Sequence, residues 1–168
     1  MRIALGADHG GFHLKGVLAG HLAGQGHQVI DLGTDSEAPV DYPDFGAAVG
    51  RAVADGTAEL GVCVCGTGIG IAIAANKVPG VYAAVVHDVT TGRLARTHNH
   101  ANVVCLGERV TGPAVAKEAL DAFVAATPAE GRHARRVALI AALEEAALEG
   151  AGDSAVPTIT TAMEGAGR

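Results

Sequence analysis

Chemistry is easiest to read in the segment Cys65-Gly66-Thr67-Gly68-Ile69-Gly70. Glycines at alternate positions let the backbone fold tightly and bring successive amides toward a ligand. A helix opening at Gly68 would add its positive end, so the loop favours an anion. Cys65 stands at the lip of that loop, where the same field favours thiolate over thiol and makes the sulfur a usable base near neutral pH. A free cysteine is most often a small buried hydrophobe. Cys63 and Cys105, in the middle of apolar runs, fit that bland role, whereas Cys65 has Gly66 ending the run beside it. Three rival motifs are incomplete. A dinucleotide fingerprint starting at Gly66 needs a glycine where Ile71 stands, although Asp88 follows at a suitable distance. A phosphatase loop needs Arg at that same place. Cys63 and Cys65 are too close for a thioredoxin-like pair.

Three further clusters carry polar chemistry. Asp8-His9-Gly10-Gly11 reads either as a helix N-cap or as a carboxylate for sugar hydroxyls beside an imidazole for a phosphate. His98-Asn99-His100 reads as a helix C-terminal cap. A metal site there would draw on His87 and Asp88, but the spacing completes no ligand set, so no metal is expected. Arg132, His133, Arg135 and Arg136 form a basic group, with Arg132 and Arg136 four apart on one helix face. Forked guanidinium pairs suit phosphate; a solvated face paired with Glu118 or Glu130 is the alternative.

The elements that must position these groups alternate along the first 126 residues. Short apolar runs at Ile3 to Ala7, Gln28 to Leu32, Leu60 to Cys65, Val81 to Val86 and Asn102 to Leu106 read as strands covered on both faces. Helical patterns cover Phe12 to Gln25, Pro43 to Asp55, Gly68 to Lys77, Val89 to His98 and Pro113 to Ala126. In the first, Leu14, Leu18 and Leu22 form a stripe with Lys15 and His21 off it. Such βα units in succession predict a mainly parallel five-stranded sheet in a three-layer α/β/α sandwich, Rossmann-like. Ligands of such sheets sit beyond the carboxyl ends of the strands. All four clusters are expected to gather there except the basic one, which opens a last helix, Arg132 to Leu148. No strand is left for that helix to cover, so it is expected to pack on a partner subunit. Residues 150–168 have no apolar period and read as a flexible tail, leaving 1–149 as the domain.

At 168 residues with 49% hydrophobic types, the chain can bury a core without disulfides or a structural metal. A net charge of −6 argues against a nucleic-acid partner. No apolar run is long enough to span a membrane. Free thiols and a start unlike a signal peptide predict a cytoplasmic protein.

Taken in order, Gly6-Ala7-Asp8-His9-Gly10-Gly11, Asp41-Tyr42-Pro43, Cys65 through Gly70, Ala74-Ala75-Asn76-Lys77, His98-Asn99 and Gly131-Arg132-His133 resemble the type B ribose-5-phosphate isomerases, within the family that includes galactose-6-phosphate isomerase subunits. The resemblance runs from residue 2 to about 146. It implies a homodimer, with tetramers as a further possibility, whose sites lie at the subunit interface and are built from both copies. It also implies aldose–ketose isomerisation of a sugar phosphate without metal or organic cofactor. Carried over residue by residue, Cys65 becomes the base, with Thr67 beside it and the amides of Gly66, Gly68 and Gly70 around the enediolate. His98 opens the furanose ring, Asp8 and Asn99 hold sugar oxygens, and Tyr42 borders the sugar. His9, Arg132 and Arg136 hold the phosphate, joined by Arg109. One branch of the family uses a Glu further along the loop, where this chain has Ile71. In the galactose-6-phosphate enzymes the Cys and His elements are divided between two subunits; this chain carries both. His100 departs from the usual pattern, and the loop from Thr34 to Val40 is expected to set pocket length and so the choice of sugar.

Overall fold

The computed structural model describes residues 1–150; the predicted tail lies almost wholly outside the described residues. Strands β1 (Arg2–Ala7), β2 (Gln28–Asp31), β3 (Leu60–Cys65), β4 (Ala83–Val85) and β5 (Val103–Gly107) form one sheet in the order β2-β1-β3-β5-β4. Every pairing is parallel. The helices are α1 (Phe12–Gly24), α2 (Tyr42–Ala54), α3 (Ile69–Ala75), α4 (Val89–Asn99), α5 (Pro113–Ala125) and α6 (Arg132–Glu149). The three-layer sandwich expected from the alternating pattern is what forms.

Strand parity divides the core. Ile3, Leu5, Val62, Val64, Val104 and Leu106 face one way and pack with Leu14, Leu18, Leu22, Leu120 and Phe123 of α1 and α5. The opposite face is made of small residues. Ala4, Cys63, Cys65 and Cys105 pack there against Val49, Ile71 and Ala72 of α2 and α3. Val49 wedges so tightly that a Cβ on Gly6 or on Gly61 would stand 2.6 Å from its methyls. Lys15 corrects the helical stripe: it is buried, and its ammonium meets the Asp31 carboxylate at 2.6 Å. It sits one position past Leu14, on the flank of the buried face, where the end of β2 supplies the counter-charge.

Two elements, β4 and α3, are each three residues shorter than the sequence reading. The fourth strand is ladder-paired only over Ala83–Val85 because side chains take over its entry. Asn76 exchanges two 2.8 Å bonds with the backbone of Ala83. Asn102 accepts from Tyr82 N–H and donates to Gly80 C=O. Asn76 thereby ends α3 two residues before Lys77, while Gly68, at φ 80, delays its start to Ile69. None of the 18 residues of α6 is buried, and Leu139, Ile140, Leu143 and Leu148 are exposed.

Helices α4 and α5 touch at Gly92, where an added Cβ would collide with the Ala119 carbonyl oxygen. We expect Gly92→Ala to destabilise the protein by about 1–3 kcal/mol despite its better helix propensity. Urea unfolding would show this as a lowered midpoint at constant slope.

Candidate active site

The strand order reverses at β1 and β3, since β2 lies on one side of β1 and β3 on the other. The loops leaving these two neighbours therefore part at a crevice, the place where open α/β sheets bind ligands. After β1, Asp8 is buried and its Oδ1 accepts from Gly10 N–H at 2.9 Å. The cap is real, and it fixes the carboxylate at the mouth. Gly10 approaches the facing loop so closely that a Cβ there would lie 3.2 Å from Gly66 N. His9 Nδ1 lies 3.2 Å from both the N–H and the carbonyl oxygen of Val40. The Thr34–Val40 loop is thus tied to the site through His9.

After β3, Cys65 is 5% exposed, and its Sγ accepts from Gly68 N–H at 3.1 Å. The left-handed turn at Gly68 is what aims that amide back at the sulfur. With α3 only seven residues long, individual amides matter here more than a helix dipole. Thr67 is exposed, and its hydroxyl oxygen accepts from Ile69 N–H at 3.3 Å. Ile71, at the position where one branch of the family has its Glu, is fully buried and turned into the core. Tyr42 lays its ring over Gly70, where a Cβ would meet Cζ at 2.7 Å. After β5, Arg109 runs alongside Gly66, its Nη1 3.4 Å from where a Cβ would be. The backbone continues that contact, with Arg109 N–H donating to Gly66 C=O at 3.0 Å. Glu108, to which the sequence assigns no role, reaches across to accept from Leu14 N–H at 2.8 Å and ties this loop to α1. Asp8, His9, Tyr42, Cys65, Gly66, Thr67, Gly68, Gly70 and Arg109 are therefore brought together at the carboxyl end of the sheet.

His98, Asn99, Arg132 and Arg136 are not among them. The expectation that the His98 cluster gathers at the carboxyl ends is corrected by chain direction. Helix α4 leaves β4 at its carboxyl end and must return to the start of β5, so its last residues lie at the amino end. Cys65 pairs with Gly107 and Gly61 with Val103, which puts roughly 13 Å of strand between the two ends. His100 is the residue that ends α4, at φ 53, with Nε2 bonded to Ala129 C=O at 2.8 Å. The connection to α6 is thereby folded under α4, and His133 stacks flat on His98, with centroids 4.0 Å apart and planes at 12°. No ion pair among the described residues joins Arg132 or Arg136 to Glu118 or Glu130. Lost hydration disfavours the charged form of His133, and His98, Arg132, Arg136 and His100 add their positive charge to that effect. The chain thus groups Asp8, His9, Cys65 and Arg109 at one end of the sheet and His98, His133 and Arg132 at the other. A separate cleft lined by Met1, Gln25, His27, Asp121, Val124 and Ala125 contains none of these residues.

The family described as Ribose/Galactose Isomerase matches residues 3–140. The chain belongs to this family. It is an aldose–ketose isomerase by that membership. Ribose-5-phosphate isomerase B of Escherichia coli is 44% identical over 144 residues, covering 86% of this chain and 97% of that protein. D-erythrulose-4-phosphate isomerase of Pectobacterium atrosepticum is 40% identical over 139 residues, covering 82% and 91%. The solved structure of Clostridium thermocellum ribose-5-phosphate isomerase B superposes with a TM-score of 0.85 at 48% identity, over 86% of this chain and 98% of that one. No helix among the described residues is long and apolar enough to cross a membrane.

The three thiols of this isomerase differ. Cys63 and Cys105 are fully buried, and the bond to Cys63, then burial, push the Cys105 thiol well above its ordinary range. We expect iodoacetamide at neutral pH to label Cys65 alone in the folded protein, and all three thiols in urea. Peptide mass mapping would show it; labelling of Cys105 in the folded state would contradict this arrangement.

Proposed function

We propose that the protein interconverts ribose 5-phosphate and ribulose 5-phosphate through an enediolate, without a cofactor. The Cys65 thiolate removes the C2 proton of the open-chain aldose. The C–H electron pair becomes the C1–C2 double bond, and the carbonyl oxygen takes up negative charge. Amides of the Gly66–Gly70 loop, fixed in advance, stabilise that charge. The proton carried by Cys65 returns to C1 as the hydroxyl proton on O2 passes to O1, which completes the ketose. Thr67 lies beside the reacting carbons; Asp8, Asn99 and Tyr42 hold or border the sugar. His98 acts earlier, giving a proton to the ring oxygen of the furanose. His9, Arg109, Arg132 and Arg136 hold the phosphate, a handle remote from the chemistry that orients the skeleton.

One observation carries the assembly part of this reading. Cys65 and His98 sit at opposite ends of the sheet, so one copy of the chain cannot bring them to one substrate. A second copy, presenting its amino-end cluster to the carboxyl-end crevice of the first, completes the set in a homodimer. The exposed apolar residues of α6 are the surface we assign to that contact. A four-carbon substrate is the second reading, favoured by the similarity to the erythrulose-phosphate enzyme.

Coupled-assay turnover should prefer ribose 5-phosphate over erythrose 4-phosphate, allose 6-phosphate and galactose 6-phosphate, and EDTA should leave it unchanged. Preference for another sugar would keep the mechanism and change the substrate. Cys65→Ala should lower kcat by about 10²–10⁴-fold; a protein that only binds phosphosugars would keep its ligand affinity and show no turnover to lose.

Mixing is the sharper test of the shared site. Cys65→Ala and His98→Ala homodimers should each be nearly inactive. In a mixed dimer both substitutions fall in one site and the other site is intact. Random re-association of equal amounts should therefore recover about a quarter of wild-type activity. No recovery, with mixed dimers shown to form, would mean that each site takes Cys65 and His98 from the same copy and would overturn the shared site.

A further inference from the structure

We infer that His133 is the positioning residue of His98, holding the plane of its ring for the opening of a cyclic substrate and taking no part in the proton transfer at carbon. The inference rests on the isomerase reading above. An imidazole turns about a soft terminal torsion with broad, two-fold preferences, yet a general acid must sit within about 2.6–3.2 Å of its acceptor. Something has to fix the ring. Among the described residues no hydrogen bond holds either nitrogen of His98, and the contact that confines it is the flat stack on His133 at 4.0 Å and 12°.

His133 is itself well held. Ala129 N–H donates to Thr97 C=O at 2.9 Å, and His100 anchors to Ala129 C=O at 2.8 Å. These bonds pin the connection that leads into α6 against the end of α4. Arg132 Nε donates to His133 Nε2 at 3.4 Å, a long bond that places the neutral ring's proton on Nδ1. Lost hydration, and after it the surrounding positive charge, favours the neutral form of His133. A neutral partner is what a flat stack requires, since two imidazolium rings at that distance repel. The arrangement links Arg132, in the phosphate grip, through His133 to His98. A phosphate drawn to Arg132 therefore acts on the same short chain of contacts that sets the acid.

The test separates ring opening from the carbon chemistry on the same pentose. Ribulose 5-phosphate cannot form a furanose, because its O5 is esterified. Exchange of its C1 hydrogen in D2O, followed by NMR, thus reports the Cys65 step without ring opening. Isomerisation of ribose 5-phosphate, a furanose in solution, needs both. We expect His133→Ala to lower kcat on ribose 5-phosphate about 10–100-fold while the exchange rate stays within about twofold of wild type. His133→Phe, which keeps a flat ring and removes the nitrogens, should restore most of the lost turnover. Equal losses in both assays, no loss in either, or a Phe variant as slow as the Ala variant would overturn the inference. If wild-type protein neither isomerises nor exchanges, the proposed activity is itself wrong. If His98→Ala slows both assays alike, the role given to His98 fails. If His98→Ala separates the assays and His133→Ala does not, the positioning role alone falls.

Discussion

A helix that joins two parallel strands has to run back against them. Between β4 and β5 that rule sends the end of α4 to the amino end of the sheet, while β3 delivers Cys65 to the carboxyl end. The rest of the site follows from this direction of travel. The residues of the proposed site are thereby divided between two surfaces of one chain, one carrying Cys65, Asp8, His9, Arg109 and the loop amides, the other His98, His133, Arg132 and Arg136. The division also keeps the charges apart in the free protein. Arg132 and Arg136 stay free of carboxylate partners among the described residues, and Asp8 spends one oxygen on a backbone amide.

The second constraint is the size of the residues under the site. The centre of the sheet face toward α2 and α3 carries Gly6, Gly61, Ala4, Cys63, Cys65 and Cys105, with Val103 the one large fully buried strand residue there, where the opposite face carries Ile3, Leu5, Val62, Val64, Val104 and Leu106. Only with Gly6 and Gly61 beneath it can Val49 bring α2 down onto the sheet. Cysteine serves twice in that layer. Cys63 and Cys105 fill it as small, fully buried apolar groups, both free thiols. Cys65, one step further along the same face, reaches the loop where a backbone amide points at its sulfur. The same residue type is wholly enclosed or placed at the loop by a difference of two positions in one strand.

Much of this is legible in the chain itself. Uninterrupted apolar runs separated by amphipathic stretches gave the layered architecture, because strands covered on both faces cannot alternate. Gly66, Thr67 and Gly68 marked the loop because close backbone approach needs residues without bulk. What could not be read was anything set by the return of the chain in space. His98 follows β4 in sequence, yet it belongs to the far end of the sheet. Lys15 falls off a leucine stripe, yet its charge is matched by Asp31 of a neighbouring strand. The contacts of Glu108 and His133 could not be read either; each acquires its partner only when two elements distant in sequence pack together. The shortened β4 belongs to the same class, since the two asparagines that pin its entry lie before and after it in the chain.

Helix α6 joins these threads. A helix with no buried residue gains little from its own chain, since most helical stability in proteins comes from packing an apolar face. What its own protomer supplies is the stack of His133 on His98 near its start and the bond from Gly80 N–H to Glu144, 2.8 Å, further along. Between and beyond these, Leu139, Ile140, Leu143 and Leu148 face outward. Covering that stripe would order the same helix whose first turns carry Arg132, His133 and Arg136. In the proposed dimer, association and the organisation of the cationic half-site are then one event. The apolar surface supplies the free energy that the exposed arginines, which lose hydration and gain no carboxylate, cannot supply for themselves. That coupling explains why the grip for a dianion sits at the start of the one helix that its own core does not bury.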